Sequence, residues 1–312
     1  MRTAVGQADR ETGRPIGPET LFVVASTTQT FTAAGVRLLI ADGRLREESR
    51  VGEVLPELSG SPLRELTVAQ LLTHTAGLGS VVKSPRFRKA PSTFASLADY
   101  RQVVLGEDVG EAGRFEYGDA DSVILATIIE RVTGQSFDVF LRARVFEPLG
   151  MEHTGFRLSP RPDGLARGYT RRDLGGTAYG TGDTLAPNDR ILPALAAPGA
   201  GAWTTAGDLL RFAEAIRSGN LPGSGETLLQ GRVPTGREAP NDRYGDGFFD
   251  GRVGSVRVVS HGGTGPGIDV CFDLYPELEA VLVILSNLDP PACQGLRDSV
   301  RASLGTAGSA PG

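Results

Sequence analysis

The sequence has little lysine, cysteine and aromatic character, and each shortage excludes a class of protein. Lys83 and Lys89 are the only lysines among 32 basic residues, so a mechanism that needs a buried amine has two candidates. Cys271 and Cys293 are too few for a disulfide framework or a zinc site. Aromatic residues are 6% of the chain, which argues against a wide stacking platform for a polyaromatic ligand.

An excess of positive charge and long apolar runs are also missing. The 32 basic and 37 acidic side chains give a net charge of −5, so a basic surface for nucleic acid is not expected. The longest apolar run, Ala280 to Leu285, suits a buried strand rather than a membrane span, and the first residues lack a secretory pattern. We therefore expect a cytoplasmic protein that acts on a small molecule without a metal or a cofactor.

What the sequence does contain is a series of helix signals followed by strand signals. Helices are predicted to begin at Thr28, Thr67, Asp119 or Asp121, Ser136 and Thr205, and to end near Gly43, Gly77, Gly134, Pro148 and Gly219. Alternating apolar residues before Ser260 and over Val270–Leu274, followed by the continuous apolar run Ala280–Leu285, predict an antiparallel meander, and a last helix follows Pro291. This order predicts a mainly helical lobe, residues 46–240, set into an α/β lobe of residues 1–45 and 241–312.

Ser26 stands at the start of the helix predicted from Thr28. A hydroxyl there lies beside unpaired backbone N–H groups and the positive end of the helix dipole, which suits a nucleophile whose product carries an oxyanion. Ser26 and Gln29 also fit a capping box, in which the serine bonds forward and the glutamine reaches back. Taken alone, this segment favours a helix-capping role for Ser26 over a role as nucleophile.

Two other segments place polar groups where chemistry could occur. His261 follows an alternating strand and precedes the glycine-rich run from Gly262, where the backbone can approach a ligand closely. Tyr117 and Asp119 place a phenol and a carboxylate just before a helix. Each also has a structural explanation: a histidine at a strand end, a core tyrosine and a helix-capping aspartate.

The context of these residues carries a family resemblance. The motifs are Leu71-Leu-Thr-His74-Thr-Ala-Gly77-Leu, Gly201-Ala-Trp203-Thr-Thr-Ala-Gly-Asp208-Leu, and His261-Gly-Gly263 followed by Pro266-Gly267. They are similar to an LLTHTSGL segment, a GG-(L/W)-ST-A-x-DL helix start and an H-x-G motif. With Ser26 and Tyr117, they make the chain resemble the serine β-lactamase and penicillin-binding-protein superfamily. The branch is that of class C β-lactamases, family VIII esterases and D-alanyl-D-alanine carboxypeptidases.

The resemblance implies a β-lactamase/transpeptidase-like α+β fold, with a helical lobe packed on an antiparallel sheet flanked by helices. It implies that Ser26 of the S-x-x-K motif is the acyl-forming nucleophile, Tyr117 of Y-x-N a proton shuttle, and His261 a residue of an inner strand lining the pocket. Backbone N–H groups of Ser26 and Thr264 would form the oxyanion hole. Candidate substrate contacts are Gly262, Gly263, Trp203 and Phe248, with Tyr179, Tyr244 and Phe249 as further candidates for pocket walls.

Two positions depart from the family pattern. Gln29 stands where the family has its lysine, and an amide can neither accept a proton near neutral pH nor supply positive charge. Asp119 stands where an asparagine is usual. Because general-base help contributes about 100- to 10,000-fold, its loss should cripple ordinary acyl transfer without abolishing it.

The family pattern begins abruptly near Gly6. We therefore expect the sheet to be shortened at its N-terminal side by at least one strand. An exposed sheet edge is a surface that a second chain can cover, so a homodimer is one expectation.

Three functions remain open at this stage. The first is acyl transfer or hydrolysis of a small ester, amide or thioester with Ser26 as nucleophile, and it is favoured because this chemistry dominates the fold. The second is a non-hydrolytic tailoring reaction in natural-product metabolism, an isomerisation, cyclisation or elimination, with Asp119 as base and His261 or Tyr117 as acid. The third is a catalytically silent binding protein, against which the retention of Ser26, Tyr117 and His261 argues.

Overall fold

The computed structural model describes residues 1–171, 184–223 and 226–307, which fold into a mixed α+β architecture. The helices are α1 (Thr28–Ala41), α2 (Val51–Val54), α3 (Val68–Leu72), α4 (Pro85–Lys89), α5 (Leu97–Val104), α6 (Ala120–Thr133), α7 (Phe137–Leu141), α8 (Ala206–Arg217), α9 (Glu226–Leu229) and α10 (Gln294–Ala307). The strands are β1 (Gln7–Asp9), β2 (Arg14–Pro15), β3 (Phe22–Val23), β4 (Tyr169–Thr170), β5 (Ala186–Pro187), β6 (Trp203–Thr204), β7 (Val233–Pro234), β8 (Arg243–Tyr244), β9 (Phe249–Val253), β10 (Val256–Gly265), β11 (Ile268–Tyr275) and β12 (Ala280–Ser286).

One antiparallel sheet of six strands, in the order β12-β11-β10-β9-β8-β7, forms the α/β part of the molecule. Successive side chains of a strand lie on opposite faces. On β10, Val258 packs with Leu304 of α10, whereas its neighbour Val259 belongs to the main core that also contains Leu209 of α8. Both faces of the sheet are therefore covered by helices, and all residues of β11 are buried.

Most helix boundaries follow the predicted signals, but the helix that begins after Thr67 ends at Leu72 rather than near Gly77. Thr67 forms the expected capping box with Gln70, and Gly134 ends α6 in the left-handed conformation at φ 72°. The meander of β10, β11 and β12 is also confirmed.

The N-terminal strands stand apart from this sheet. In the described ranges, β1 pairs with β2 and β3 with β6, and the six-stranded sheet begins only at β7. Its first strand, Val233–Pro234, precedes the lobe boundary predicted at residue 241, and that lobe division remains a prediction.

Helix α1 runs through the centre of the molecule and fixes the positions of Ser26 and Gln29. Every residue from Thr28 to Leu39 is buried, and α1 packs against α6 and α7. The threonine hydroxyls on this helix are satisfied locally or across the core; Thr32, for example, donates to the Pro198 carbonyl at 2.6 Å. Burying polar groups with their hydrogen bonds made holds the helix in one rotation about its axis.

The two cysteines are joined. Cys271 on β11 forms a disulfide with Cys293, which lies just before α10. Two cysteines are too few for a disulfide framework, and this single bond links the sheet to the segment before the last helix. Because disulfides are rare in reducing compartments, the bond gives no support to the cytoplasmic location expected from the sequence.

Reducing this disulfide is expected to lower the free energy of unfolding by about 3 kcal/mol, since it closes a loop of sequence separation 22. Urea denaturation of the oxidised and reduced protein, and of a Cys271→Ala/Cys293→Ala variant, measures the difference. An unchanged transition after thiol titration has shown complete reduction would contradict the stabilising role.

Candidate active site

Ser26 lies in a 3₁₀ turn, Ala25–Thr27, that leads directly into α1. Ala25 has φ 41°, a left-handed conformation that residues other than glycine rarely adopt, and its carbonyl accepts a hydrogen bond from Gly201 N–H at 3.1 Å. The N-cap of α1 is Thr27 and makes no side-chain cap, while the Gln29 amide bonds elsewhere. The capping box favoured for this segment is therefore wrong, and the half-buried Ser26 hydroxyl is free for another role.

Strand β10 passes directly beside the Ser26 turn. A Cβ atom added to Gly263 would lie 2.0 Å from the Val24 carbonyl oxygen, so a glycine is needed for this approach. Strand β9 pairs with β10 only as far as Ser260, and beyond it β10 pairs with β11 alone. The stretch that contains Thr264 thus presents a strand edge toward the Ser26 turn, where an oxyanion hole would need its N–H.

Tyr117 connects the groups that the sequence places far apart. Its hydroxyl accepts a hydrogen bond from Gln29 Nε2 at 3.0 Å and lies 3.4 Å from His261 Nε2, and it is close enough to Ser26 for the serine hydroxyl to lower its pKa. Burial raises the pKa of Tyr117 to about 12, and the Asp119 charge adds to the rise, whereas the hydrogen bonds from Ser26 and Gln29 oppose it. The phenol is therefore protonated at neutral pH.

His261 has one nitrogen available to this phenol. Its Nδ1 lies 2.7 Å from the Gly262 carbonyl oxygen, which can only accept, so Nδ1 carries the hydrogen and Nε2 has the free lone pair. Burial lowers the pKa of His261 to about 4, and the ring is neutral at neutral pH. Tyr117 can then donate its own hydrogen to His261 Nε2.

Gln29, which the resemblance places at the position of the family's lysine, makes hydrogen bonds through both ends of its amide. Its Nε2 donates to Tyr117 and to the Gly118 carbonyl at 3.4 Å, while its Oε1 accepts from His74 Nε2 at 2.9 Å and from Tyr244 at 3.4 Å. The carbonyl of Gly118 fixes which end of the amide carries nitrogen. Both lysines are exposed, and in the described ranges neither Lys83 nor Lys89 takes part in these hydrogen bonds.

A second layer behind Gln29 was missed by sequence reasoning. His74 bonds Gln29 through Nε2 and Asp121 through Nδ1, which lies 2.7 Å from Asp121 Oδ2. His74 also has a positive φ of 54°, and Tyr244 completes the layer at 3.1 Å from its Nε2. Asp121 lies in the first turn of α6, and the sequence alone therefore indicates a helix-capping residue.

Asp119 is placed differently from the expectation. Its buried carboxylate accepts hydrogen bonds from the Val82 N–H at 3.4 Å and from Ser80. Burial raises the pKa of Asp119 above its ordinary value. In the described part of the chain no hydrogen bond joins Asp119 to Tyr117 or His261, and its effect on Tyr117 is electrostatic.

Of two predicted substrate contacts, Phe248 lies in the core and Trp203 is a half-buried residue that packs against it. Phe248 is fully buried, with its ring centre 6.1 Å from that of Phe272. The Trp203 indole N–H donates to the Arg157 carbonyl at 2.8 Å and its ring packs on Gly155. Tyr179 lies outside the described residues.

The rings around the site are Phe115 and Phe249 rather than Trp203 and Phe248. Phe249 stacks on Tyr117 with ring centres 6.0 Å apart and lies 5.9 Å from the His261 ring. Phe115 lies 5.4 Å from Tyr244. Of the predicted wall residues, Phe249 and Tyr244 therefore lie beside Tyr117 and His261.

Neither a metal cluster nor a membrane helix was found in the part of the chain that the structure describes. There, no three His, Cys, Asp or Glu side chains are grouped so that they could hold a metal ion. Among the same residues, no helix combines the length and apolar character needed to cross a bilayer.

The fold and the serine–tyrosine–histidine cluster define a protein of the β-lactamase/transpeptidase class. The chain belongs to the Beta-lactamase family, whose model matches residues 1–305. It is 30% identical over 304 residues to penicillin-binding protein 4* of Bacillus subtilis (strain 168), covering 90% of this chain and 64% of that protein. It is 32% identical to esterase EstB of Burkholderia gladioli over 80% of this chain and 71% of EstB. The chain thus spans about two thirds of the length of these relatives.

Solved structures share the fold. A penicillin-binding protein from Bacillus halodurans superposes with a TM-score of 0.83 at 23% identity, covering 96% of this chain and 92% of that chain. A D-amino acid amidase from Ochrobactrum anthropi SV3, complexed with D-phenylalanine, gives 0.81 at 23% identity, with 98% and 89% covered. At this identity the likeness concerns the fold.

Proposed function

We propose that the protein is a serine hydrolase or acyltransferase that forms an acyl-enzyme through Ser26 on a small ester, amide or thioester. The observation that carries this proposal is the position of Tyr117 between Ser26, whose hydroxyl lowers the pKa of the phenol, and the unprotonated Nε2 of His261. Relatives named as penicillin-binding protein and esterase support the same chemistry.

The path replaces the lysine with an imidazole as the final proton acceptor. As Ser26 Oγ attacks the carbonyl carbon, its proton passes to the Tyr117 oxygen, and the Tyr117 proton passes to His261 Nε2. Gln29 makes this direction possible, because its N–H fills one lone pair of Tyr117 and leaves the phenol hydrogen for His261. His74 holds Gln29 in that orientation.

The same groups serve the collapse of the tetrahedral intermediate. The negative oxygen is stabilised by the backbone N–H groups of Ser26 and Thr264. The His261 imidazolium is strongly acidic because burial lowers its pKa, so it readily returns a proton through Tyr117 to the leaving group. The low basicity of His261 makes the attack slower than it would be with an amine base, in keeping with a reaction impaired or altered by the loss of the lysine.

A tailoring reaction based on Asp119 has less support. That chemistry needs the Asp119 carboxylate beside His261 or Tyr117, whereas its hydrogen bonds run to Val82 and Ser80. A silent binding protein would have no need of the hydroxyl path at Ser26.

Covalent labelling tests the proposal. The protein is incubated with a fluorophosphonate probe and with p-nitrophenyl acetate, and intact mass and peptide mapping locate any adduct. We expect one adduct, on Ser26, and none on a Ser26→Ala variant. Labelling of a residue other than Ser26 would favour the tailoring reaction. So would turnover of a substrate that proceeds without an adduct and that is lost in the Asp119→Asn variant. No adduct and no turnover would favour the silent binding protein.

A further inference from the structure

The loop between β7 and β8 holds an arginine over the active site. Thr235 anchors this loop: its N–H donates to the Asp242 carbonyl at 2.9 Å, and its hydroxyl accepts from the Arg237 N–H at 3.1 Å. The guanidinium carbon of Arg237 lies 5.1 Å from the ring centre of Phe249 and 5.7 Å from that of Tyr117. The cation is thus held against the phenol of the proton path.

The charge of Arg237 reaches the reacting groups but is not neutralised. Arg232, just before β7, pairs with Glu47 and Asp246. Arg237 is exposed, and in the described ranges it forms no ion pair. Burial dominates the pKa values of Tyr117 and His261, and the Arg237 charge lowers both.

We propose that Arg237 binds a carboxylate of the substrate, so that the site prefers acyl groups that carry a free acid. This inference rests on the acyl transfer proposed at Ser26. A substrate carbonyl at Ser26 lies next to Tyr117, and Tyr117 is in contact with Arg237. The planar guanidinium matches a carboxylate through two parallel hydrogen bonds, and stacking on aromatic rings leaves its N–H edges free.

The three aromatic rings around Arg237 make the preference for a free carboxylate depend on an arginine at this position. Phe115, Tyr117 and Phe249 lie 5.1 to 5.9 Å from the guanidinium carbon, so cation–π contacts favour this position of the side chain before a ligand arrives. A lysine at this position would keep the charge without the planar fork, and a glutamine would keep polarity without the charge.

Substrate pairs that differ only in charge test this role. The probes are the mono-p-nitrophenyl esters of adipic, pimelic and suberic acid, each compared with its methyl-capped diester. We expect kcat/KM to favour the free acid about 10-fold or more at one chain length at least. Arg237→Gln should reduce this ratio to about one, and Arg237→Lys should give an intermediate ratio.

Arg46→Gln is the matched control. Arg46 is exposed and lies beyond the far end of α1 from Ser26, so its loss changes the net charge equally without touching the site. We expect it to keep the wild-type ratio. A wild-type ratio near one at every length, or an unchanged ratio in Arg237→Gln, overturns the role of Arg237. If Ser26 still forms its adduct, only this inference fails; without an adduct, the proposed function fails.

Discussion

Ser26→Ala is expected to lower kcat/KM on a p-nitrophenyl ester by at least about 1,000-fold. The Ser26 hydroxyl is the group of the proton path that can bond to the acyl carbon, because the oxygen of the half-buried Tyr117 is engaged with Ser26, Gln29 and His261. Steady-state kinetics and the absence of a burst of p-nitrophenol measure the loss.

Ser49→Ala is a suitable control for this substitution. Ser49 is buried, accepts a hydrogen bond from the Arg46 N–H, and follows α1 at its end remote from Ser26. The Ser49→Ala substitution removes a buried hydroxyl that does not contact the site, so the variant should keep its activity. If Ser26→Ala were folded and still within about 10-fold of wild type, Ser26 would not be the nucleophile.

Replacement of His261 is expected to have the next largest effect, a loss of about 100- to 10,000-fold in kcat/KM. Two variants separate hydrogen bonding from basicity. His261→Asn can keep a donor to the Gly262 carbonyl but has no group at the position of Nε2, whereas His261→Gln can offer Tyr117 an acceptor that does not bind a proton.

Both variants should lose activity if His261 receives the proton. Circular dichroism and thermal unfolding of the two variants control for damage to β10, since His261 is buried. Full activity in His261→Gln would mean that a hydrogen-bond acceptor suffices and that the base lies elsewhere.

Much of the fold follows from local signals in the sequence. The glycine after α6, the capping box at Thr67 and the alternating residues of β10 each specify an element through nearby residues, and each is found where expected. The grouping of Ser26, Tyr117 and His261 came from the family resemblance, and their hydrogen bonds support it.

What the sequence did not show depends on contacts between distant segments. Ser26 and Gln29 have the spacing of a cap, and only the position of Tyr117 and His74 explains why both side chains bond across the site instead. Asp119 could be taken for a base because it lies two residues from Tyr117, but its carboxylate bonds the turn at Val82.

The position of Arg237 over the site also could not be predicted from the sequence. Its segment, rich in proline and glycine, contains no motif, and its place over Phe249 follows from how the β7–β8 loop closes on itself. From the sequence alone, a charged residue in such a loop is interpreted as a solvated surface residue, because its contacts depend on how the loop folds.

The pH dependence of acylation by a neutral p-nitrophenyl ester tests most directly whether His261 takes the Ser26 proton. The neutral imidazole is the active form and its pKa is lowered to about 4, so protonation below that pH removes the base. We expect kcat/KM to be constant from about pH 5.5 to about pH 9 and to fall about tenfold per unit below about pH 4 while the protein remains folded. A rate that instead rises through a midpoint at or above about pH 7 would show that another group is the base and would contradict the path through His261.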